Sequence, residues 1–573
     1  MRRGREVAQA PDARVIRLAA GQHEPERDQR LVGRPLADAR KGSVKWGRGR
    51  IGGLFAQRRV DRVALRNTSI EKIAVERIET HAMRFAARIL WLFVTAAVTF
   101  GAAPKPLPLD QLVERMRAAS GNPYRYHVRS LAHSMVDGVQ VEERTDTEGV
   151  RFVRRVCEGA ICTGTYFDGA HLFTLNFNDT ALPEWSPAER YMATARAIAS
   201  GAFLDPAFAS ARGNSVVDLG MLPYDGKIYR ALSVRAAPAN AMVAFVDPSS
   251  SLVVAIQDWT SKHTIRDLDY RKTGPLMLPF RQVQDGEETQ SYESRSIVTA
   301  PFPEPAGVTV AFEGPPVSLP IGKTTPVVDC TLGSILVRCL IDTGNPGTSI
   351  SLELAEQLGL PSVGEFEVRG LGGYATEVVT AGPLRVGNAV FSRSNYLVLH
   401  DIHAYGYDVV LGADALAKTV LTIDYPARTL AFSPRDDAPD GIPLSFVNMI
   451  PVVPVRLGDL ESVLAVDTGD ESTVNLSFDY YSAHPDIFTP TGSEGVSGVG
   501  GNSEELIGNL PHLQIGEYHV ESLHIGATEH LRATAAGHLG AGLLSRFRVT
   551  LDYARQLLHL VPRESDKLIR TTP

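Results

Sequence analysis

The chain has 573 residues, of which 44% are hydrophobic and 21% are charged, and this composition excludes an intrinsically disordered protein. Its length is enough for about two to four domains of typical size. The net charge of −7 is unevenly distributed, because residues 1–82 carry +9 and the rest of the chain carries −16.

Residues 1–82 form a basic leader that contains no Tyr and no Cys and shows little apolar periodicity. A basic leader can indicate nucleic-acid binding, but the next segment offers a better explanation, and we expect no nucleic-acid partner. The leader is either a segment upstream of a true start at Met83 or a disordered extension. The alternative is a genuine N-terminal domain with an internal helix, against which the weak periodicity argues.

Residues 83–103 have the layout of a secretory signal peptide. Arg84 and Arg88 give a positive start, residues 89–100 are an apolar core, and small residues follow. The apolar run is short for a membrane span and is followed at once by Pro104. We therefore expect a periplasmic or secreted protein that keeps no stable membrane span once the signal peptide is removed.

Residues 104–300 are predicted to form an α+β domain. Amphipathic patterns predict helices over 109–121 and 186–203, with several strand-like runs between and after them. Two of these runs flank an Asp-Pro-Ser-Ser turn within 241–258, and a tyrosine and the run LMLPF follow. This pattern resembles the curved antiparallel sheet of periplasmic lipoprotein-carrier and sorting proteins, which implies an apolar or peptide ligand. The alternative is a prodomain-like or docking module.

The four cysteines fall into two closely spaced pairs in strand-like segments, Cys157 with Cys162 and Cys330 with Cys339. In an exported protein such pairs can form disulfides across hairpins. The alternative is that they are buried free thiols. Neither pair has zinc-finger spacing, and we expect no metal.

Residues 301–320 are rich in proline and are predicted to be a linker, after which the chain repeats itself. An Asp-Thr-Gly triplet at Asp342 recurs 125 residues later at Asp467. A single triplet would occur by chance in roughly one chain in ten of this length, so the evidence must come from the flanking sequence.

Three further blocks recur in the same order, 128 or 129 residues apart. They are RGLGG (369–373) with SGVGG (497–501), RVGNAVF (385–391) with QIGEYHV (514–520), and residues 409–434 with residues 537–562. Two copies of one unit therefore lie in tandem, predicted as lobe 1 (321–434) and lobe 2 (435–565). Short β-branched runs around glycine turns indicate that both lobes are mostly β-structure.

Each unit resembles one lobe of the aspartic protease fold in its retropepsin-like form. The family pattern is two apolar residues before Asp-Thr-Gly, a glycine-bearing flap hairpin, and two apolar residues before a late glycine. Lobe 1 follows it with LIDTG, RGLGG and VVLG, and lobe 2 with AVDTG, SGVGG and GHLG, where His538 occupies an apolar position. The resemblance covers about residues 320–565. It implies a mainly β chain with a bilobal acid-protease β-barrel fold, preceded by the α+β domain.

The resemblance implies peptide hydrolysis by a pair of carboxyl groups. One carboxylate takes a proton from water while its protonated partner hydrogen-bonds the scissile carbonyl. Two carboxylates about 3 Å apart share one proton, and the aspartic protease dyad is the known case. Each lobe supplies one aspartate, so Asp342 and Asp467 are predicted to complete a catalytic dyad within one chain, which can then act as a monomer.

Supporting roles follow from the same resemblance. Hydroxyl hydrogen bonds should brace the two aspartate loops, the glycines after each Asp-Thr should allow tight backbone, and a late glycine should let the chain pass beneath each loop. These residues are, respectively, Thr343 and Thr468, Gly344 and Gly469, and Gly412 and Gly540.

Two glycine-rich segments are predicted to be mobile flap hairpins that close over a peptide. They contain Gly370, Gly372, Gly373 and Tyr374 in lobe 1, and Gly498, Gly500 and Gly501 in lobe 2. Residues 370–375 also fit a dinucleotide-binding fingerprint, but no helix is predicted after them, and we expect no cofactor. Tyr374 is either a flap aromatic or a surface tyrosine.

The sequence departs from the family after each Asp-Thr-Gly, where Ala or Ser and then Ser or Thr are usual. Here Asn345-Pro346 and Asp470-Glu471 follow. The added carboxylates should raise the pKa of the dyad. Hydroxyl groups a few residues later are candidates to replace the missing ones: Thr348, Ser349, Ser472 and Thr473.

Two functions fit these residues. The first is an exported aspartic endopeptidase that acts on a peptide or protein substrate through water activated between Asp342 and Asp467. The second is a catalytically weak periplasmic protein with the same bilobal fold that binds a peptide or a lipid. Motifs of serine hydrolases, zinc proteases and phosphate-binding loops do not occur.

Overall fold

The computed structural model describes residues 107–136, 139–199, 201–236, 241–258, 262–285, 287–322, 324–435, 440–529, 531, 535–563 and 569–570. The predicted leader (1–82) and signal peptide (83–103) lie outside these residues. In the part of the chain that is described, no helix is long and apolar enough to cross a membrane.

The N-terminal domain is built on one antiparallel sheet. Its strands are β1 (His127–Val136), β2 (Val139–Glu148), β3 (Arg151–Glu158), β4 (Ile161–Phe167), β5 (Leu172–Leu175), β6 (Ala181–Pro183), β7 (Ser215–Tyr224), β8 (Lys227–Arg235), β9 (Ala241–Val246), β10 (Val253–Asp258), β11 (Thr264–Thr273), β12 (Leu276–Gln284) and β13 (Glu287–Val298). Their order is 6-5-4-3-2-1-13-12-11-10-9-8-7. Register shifts interrupt the ladders β1–β13, β7–β8, β9–β10 and β12–β13, and such bulges bend a sheet, so the predicted curved antiparallel sheet is confirmed.

Three helices cover one face of this sheet: α1 (Leu109–Ser120), α2 (Pro187–Ala199) and α3 (Pro206–Ser210). Helix α1 ends at Gly121, which adopts a left-handed conformation with φ of 77°. Its buried residues Leu112 and Met116 join a core with Leu232 and Ile256 of the sheet. Short 3₁₀ turns lie at Pro123–Arg125 and Ala202–Leu204.

Two features of this domain match sequence predictions closely. The predicted turn between β9 and β10 forms around Asp247, whose carboxylate accepts hydrogen bonds from the backbone N–H groups of Ser249 and Ser250. Cys157 and Cys162 face each other on β3 and β4 and form a disulfide. Of the two alternatives for this pair, the structure contains the disulfide and not two free thiols.

The next strands belong to lobe 1. They are β14 (Val310–Phe312), β15 (Leu319–Pro320), β16 (Val327–Leu332), β17 (Ile335–Ile341), β18 (Ser349–Ser351), β19 (Ser362–Arg369), β20 (Gly373–Ala381), β21 (Leu384–Val386), β22 (Ala389–Phe391), β23 (Ser394–Leu399), β24 (Val409–Leu411), β25 (Val420–Asp424) and β26 (Thr429–Ser433), with helices α4 (Leu352–Gln357) and α5 (Ala413–Leu416) and a 3₁₀ turn at Ile402–Tyr405. Ten of them form one sheet in the order 14-22-21-16-17-24-18-23-20-19. A disulfide joins Cys330 to Cys339 across the hairpin β16–β17.

Residues 301–320 were predicted to be a linker because they are rich in proline, but they contain two strands. Val310–Phe312 pairs with Ala389–Phe391, and Leu319–Pro320 pairs with β26, so this segment adds two edge strands to lobe 1. Proline is tolerated in edge strands because their outer N–H groups need no partner in the sheet.

Lobe 2 repeats this plan. Its strands are β27 (Ile442–Pro443), β28 (Ser445–Val447), β29 (Ile450–Leu457), β30 (Leu460–Asp467), β31 (Val474–Ser477), β32 (Pro490–Gly498), β33 (Gly501–Ile515), β34 (Tyr518–Thr528), β35 (Gly537–Gly540), β36 (Phe547–Asp552), β37 (Leu557–Pro562) and β38 (Ile569–Arg570), with helices α6 (Phe478–Ala483) and α7 (Ala541–Leu544) and a 3₁₀ turn at Pro485–Ile487. Strand β38 pairs with β34, so the lobe extends past residue 565.

A six-stranded sheet joins the two lobes, in the order 15-26-25-36-37-27. Lobe 1 supplies β15, β26 and β25, and lobe 2 supplies β36, β37 and β27. At its centre Thr422 pairs with Thr550, and their hydroxyl oxygens lie 3.1 Å apart. Buried apolar residues from both lobes form one continuous core, which holds the aspartate loops of the two lobes together.

Candidate functional site

The predicted aspartates stand at the ends of equivalent strands. Strand β17 ends at Ile341 just before Asp342, and β30 ends at Asp467 itself. Each strand runs parallel to the strand that precedes a late glycine, β24 in lobe 1 and β35 in lobe 2. Cys339, Leu340 and Ile341 are buried, which explains why an apolar run leads directly into a carboxylate.

Thr343 and Thr468 brace the two aspartate loops through four reciprocal hydrogen bonds. The backbone N–H of each threonine donates to the hydroxyl oxygen of the other, at 3.1 Å in both directions. The Thr343 hydroxyl donates to the Val466 carbonyl at 2.6 Å, and the Thr468 hydroxyl donates to the Ile341 carbonyl at 2.7 Å. Both threonines are fully buried.

This bracing brings the two predicted aspartates together. The carboxyl group of each aspartate lies over the loop of the other lobe, because a Cβ on Gly344 would overlap the carboxyl carbon of Asp467 and one on Gly469 would lie 2.6 Å from that of Asp342. At this range each carboxyl group alters the pKa of the other. The backbone N–H of Gly344 donates to Asp342 Oδ1 at 2.8 Å, and the backbone N–H of Gly469 donates to Asp467 Oδ1 at 2.9 Å. Two buried carboxyl groups that face each other at short range are the arrangement that can share a single proton.

The two carboxyl groups have opposite pKa shifts. Burial and the neighbouring charge of Asp467 raise the pKa of Asp342 well above its ordinary value. Burial also acts to raise the pKa of Asp467, but hydrogen bonding and the positive charge of His538 outweigh it, and the pKa of Asp467 is lowered. Opposite shifts of this kind widen the pH range over which the pair holds a single proton.

The glycines near the dyad lie where no side chain can fit. A Cβ atom on Gly344 would overlap the Asp467 carboxyl group, and one on Gly469 would lie 2.6 Å from the carboxyl carbon of Asp342. Gly412 passes beneath the lobe 1 loop, where a Cβ would lie 2.7 Å from the Asn345 carbonyl oxygen. Gly540 lies in the same way beneath the loop of lobe 2.

The two predicted flaps are hairpins whose tips touch. Strands β19 and β20 form one flap, and β32 and β33 form the other. The backbone N–H of Leu371 donates to the Val499 carbonyl at 2.9 Å. Gly370 and Gly372 lie against the backbone of the opposite tip, and Gly500 adopts a φ of 85°, so the close contact depends on glycine.

The other predicted flap residues have different surroundings. Gly373 begins β20, Gly498 lies against the Leu371 side chain, and Gly501 has a φ of 141°. Tyr374 is half-buried, and its ring stacks on that of His400 with 4.9 Å between centroids. It therefore packs within lobe 1 rather than lying on the surface. The two antiparallel strands also exclude the dinucleotide-binding interpretation of residues 370–375.

None of the four substitute hydroxyl groups contacts the dyad, so that expectation was wrong. Thr348 donates to Asp414 at 2.6 Å, and Ser349 accepts a hydrogen bond from the Asn345 side chain at 3.1 Å. Thr473 donates to the His524 carbonyl, and the buried Ser472 hydroxyl has no hydrogen-bond partner in the described part of the chain. Three of the four hydroxyl groups are hydrogen-bonded to other partners instead.

A histidine takes the place of the missing hydroxyl in lobe 2. Nδ1 of His538 lies 3.1 Å from Asp467 Oδ2 and 3.4 Å from Asp470 Oδ2. Burial opposes the charged imidazole, but the hydrogen bonds that it donates to the two carboxylates, together with their negative charges, outweigh burial and raise the pKa of His538 to about 10. The sequence showed His538 as a mismatch and Asp470 as an added charge, but it did not show that they pair.

The ligand-type atoms of Asp467, Asp470 and His538 lie within 4.8 Å of one another, the spacing that a cation would need. A protonated Nδ1 between two carboxylates has no lone pair for a metal. The mutual ion pairs account for the whole arrangement, and we identify none of these side chains as a metal ligand.

The N-terminal domain supports the lobe 1 loop, which sequence reasoning missed. The side chain of Asn176 donates to the Pro346 carbonyl at 3.2 Å, and that of Asn178 donates to the fully buried Asp414 at 2.7 Å. Asp414 in turn accepts from Thr348 behind the Asp342 loop. The ring of Phe177 lies against Gly347, the last glycine of that loop.

Replacing Thr343 with valine is expected to lower the free energy of unfolding by about 2–4 kcal/mol, because it leaves a buried N–H and a buried carbonyl unpaired. Thr422→Val is the matched control, since among the described residues that hydroxyl is hydrogen-bonded to the Thr550 hydroxyl alone, at the centre of the sheet between the lobes. Urea titration of the two variants measures the difference. A loss no larger in Thr343→Val than in the control would show that the bracing contributes little.

Replacing Asn178 with alanine is expected to cost about 2–4 kcal/mol of stability, because the buried Asp414 carboxyl and the Asn395 backbone lose their hydrogen-bond partners. The exposed Asn509→Ala in lobe 2 is the control and should change little. Denaturant unfolding of the whole chain is the measurement. Equal stability of the two variants would mean that the N-terminal domain does not support the lobe 1 loop.

Comparison with known proteins gives a family match in lobe 1. The family model described as aspartyl protease matches residues 328–415, which include Asp342 and Gly412. No curated protein matches the chain. The chain therefore resembles the aspartyl proteases, as its Asp-Thr-Gly, flap and late-glycine motifs predicted.

Two solved structures are similar to parts of the chain. A LolA superfamily protein from Nitrosomonas europaea is 12% identical, and the match covers 34% of this chain and 96% of that one with a TM-score of 0.26. A retropepsin-like aspartic protease from Rickettsia conorii is 17% identical, and the match covers 22% of this chain and 92% of that one with a TM-score of 0.17.

Proposed function

We propose that the protein is an exported aspartic endopeptidase whose catalytic dyad is Asp342 and Asp467. The observation that carries this proposal is the placement of each carboxyl group against the glycine of the opposite aspartate loop, which the reciprocal hydrogen bonds of Thr343 and Thr468 maintain. A purely structural loop has no need for two buried carboxyl groups at short range, because each raises the free energy of ionising the other.

The geometry supports hydrolysis by an activated water molecule. One carboxylate accepts a proton from the water, whose oxygen attacks the scissile carbonyl carbon while the protonated carboxyl donates a hydrogen bond to the carbonyl oxygen. The tetrahedral intermediate then breaks its C–N bond, the leaving nitrogen receives a proton from the dyad, and one carboxyl proton remains. The reaction needs no cofactor and no metal.

The substrate is a peptide or protein segment that enters beneath the paired flaps. Val499 and Tyr374 of the flaps pack against an apolar cluster that includes Leu340 and Val410, which flank the Asp342 loop. This cluster favours apolar side chains in the substrate. Since one chain supplies both aspartates, the enzyme is active as a monomer, and residues 83–103 direct it to the periplasm or outside the cell.

A second candidate function is a binding protein with the same fold and little turnover. Its support is the charged Asp470 and His538 beside the dyad and the sheet domain that precedes the lobes. In this case the flaps would hold a peptide or a lipid without cleaving it.

Incubation with a random peptide pool between pH 3 and pH 8 separates the two functions. The chain from residue 104 onward is compared with a variant that carries both Asp342→Asn and Asp467→Asn, and new peptide termini are identified by mass spectrometry. We expect new termini with the parent only. Peptides that co-purify uncut with both proteins would support the binding function instead.

A further inference from the structure

The two lobes differ at the positions that surround the dyad. Strands β24 and β35 occupy equivalent places, and Val410 of lobe 1 corresponds to His538 of lobe 2. Asn345, three residues after Asp342, corresponds to Asp470, three residues after Asp467. Lobe 1 thus presents a neutral pair of side chains at the place where lobe 2 presents a histidine and a carboxylate.

This difference acts on one aspartate directly. His538 Nδ1 lies 3.1 Å from Asp467 Oδ2, whereas the Val410 side chain at the matching place is buried in an apolar cluster and offers no donor to Asp342. The side chains of His538 and Asp470 are each 17% exposed and that of Asp467 is 12% exposed, so solvent screens their charges weakly.

Asp470 fixes the histidine in this place. Its carboxylate lies 3.4 Å from Nδ1 and accepts the backbone N–H of Ser472 at 2.8 Å, while its own backbone N–H donates to Asp467 Oδ1 at 3.1 Å. Asp470 therefore contacts Asp467 through its backbone N–H and His538 through its carboxylate. The imidazole cannot move away from Asp467 without breaking both contacts.

We propose that His538, held by Asp470, is a positioning residue that keeps Asp467 ionised and leaves the shared proton on Asp342. This proposal rests on the proposed function and deepens it. Asp467 of lobe 2 is then the carboxylate that takes the proton from water, and Asp342 of lobe 1 is the acid that hydrogen-bonds the scissile carbonyl. Water loses its proton to Asp467, and the leaving nitrogen gains one from the dyad, so the proton count balances.

The charged groups around the imidazole fit this assignment. Asp467 acts on it from β30, Asp470 from the loop and Asp342 from lobe 1, and Glu505 of β33 lies close enough to Asp470 for their charges to interact. Burial and the charge of Asp470 raise the pKa of Glu505 to about 7, so Glu505 is largely neutral in acid. His538 is the one basic group among these five, and its positive charge stabilises the Asp467 carboxylate.

The pH dependence of kcat/KM tests the proposal. His538→Val copies Val410, and the acidic limb of the profile is expected to move up by about one to two pH units, because the Asp467 carboxylate loses a charged hydrogen bond. Asp470→Asn copies Asn345 and is expected to move the same limb down by less than about one pH unit, because its amide oxygen can still accept the imidazole N–H and hold His538 while one negative charge is removed. The variant with both changes should fall between them.

A carboxyl titration decides the proposal without turnover. NMR of protein labelled with ¹³C at aspartate carboxyl groups, assigned with Asp342→Asn and Asp467→Asn, should show Asp467 ionising at lower pH than Asp342. His538→Val should reduce the difference between the pH values at which Asp467 and Asp342 ionise, and His538→Lys should restore that difference.

Some outcomes would overturn the proposal. They are an unchanged acidic limb in His538→Val, or a titration in which Asp342 ionises first in the parent. If the parent cleaves no peptide at any pH, the endopeptidase function fails, and the titration still shows which carboxyl group holds the proton.

Discussion

Asparagine at position 342 or at position 467 is expected to lower kcat/KM for peptide cleavage by at least about a thousandfold. An amide cannot accept the proton of water, and it cannot share a proton with the remaining carboxyl group. The two single losses should be similar to each other and to the loss in the double variant, because residues that act as one unit are strongly non-additive. The measurement is steady-state cleavage of one peptide chosen from the pool.

Asp329→Asn is the matched control for these variants. Asp329 lies on β16 of lobe 1 and is exposed, so the substitution removes a carboxylate from the same lobe without touching the dyad. Its kcat/KM should equal that of the parent. Thermal unfolding of all variants shows whether a loss reflects chemistry or folding. A variant at 342 or 467 that keeps a tenth of the parent activity would contradict the shared dyad.

Alanine at position 344 or at position 469 is expected to lower kcat/KM by about a hundredfold or more. The added methyl group would occupy the space of the carboxyl group that belongs to the opposite lobe, Asp467 in one case and Asp342 in the other. The two carboxyl groups must then move apart, and a displacement of about 1 Å at a reacting centre can cost two orders of magnitude in rate. The acidic and basic limbs of the pH profile should also approach each other as the coupling weakens.

Gly495→Ala provides the control for the added methyl group. Gly495 lies on β32, and a Cβ atom at this position meets nothing within 4 Å. The variant should keep the activity and stability of the parent. If Gly344→Ala and Gly469→Ala behaved like this control, the aspartate loops would not be packed as closely as the structure shows.

The site could be predicted in outline because its chemistry depends on short motifs that occur twice. Asp342 and Asp467 follow buried strands in equivalent positions, and a glycine lies beneath each loop. The mainly β character was predicted from short β-branched runs around glycine turns, and the curved N-terminal sheet from a resemblance to periplasmic lipoprotein-carrier and sorting proteins. Such features are local, so a few neighbouring residues determine them.

Contacts between distant segments could not be predicted. Nothing near Asn178 in the sequence indicates that it hydrogen-bonds Asp414, which lies 236 residues away. Strand β2 has a largely polar sequence, VQVEERTDTE, and its place in the sheet depends on pairing with β1 and β3. The prolines of residues 301–320 suggested a linker, but the segment forms two edge strands, in which proline is tolerated.

The contact of His538 with Asp467 and Asp470 is another that could not be predicted from the sequence. His538 appeared as a mismatch to an apolar position, and Asp470 as a charge that should raise the pKa of the dyad. Only the fold places the imidazole between two carboxylates, which reverses the expected effect on Asp467 and lowers its pKa.

Mixing the two single variants tests most directly whether one chain contains the whole active site. Asp342→Asn and Asp467→Asn are each assayed alone and then together at equal concentration. If both aspartates of the dyad come from one chain, every chain in the mixture lacks one of them, and the mixture stays as inactive as its parts. Recovery of a substantial fraction of parent activity on mixing would contradict this, because it would require a dyad formed between two chains.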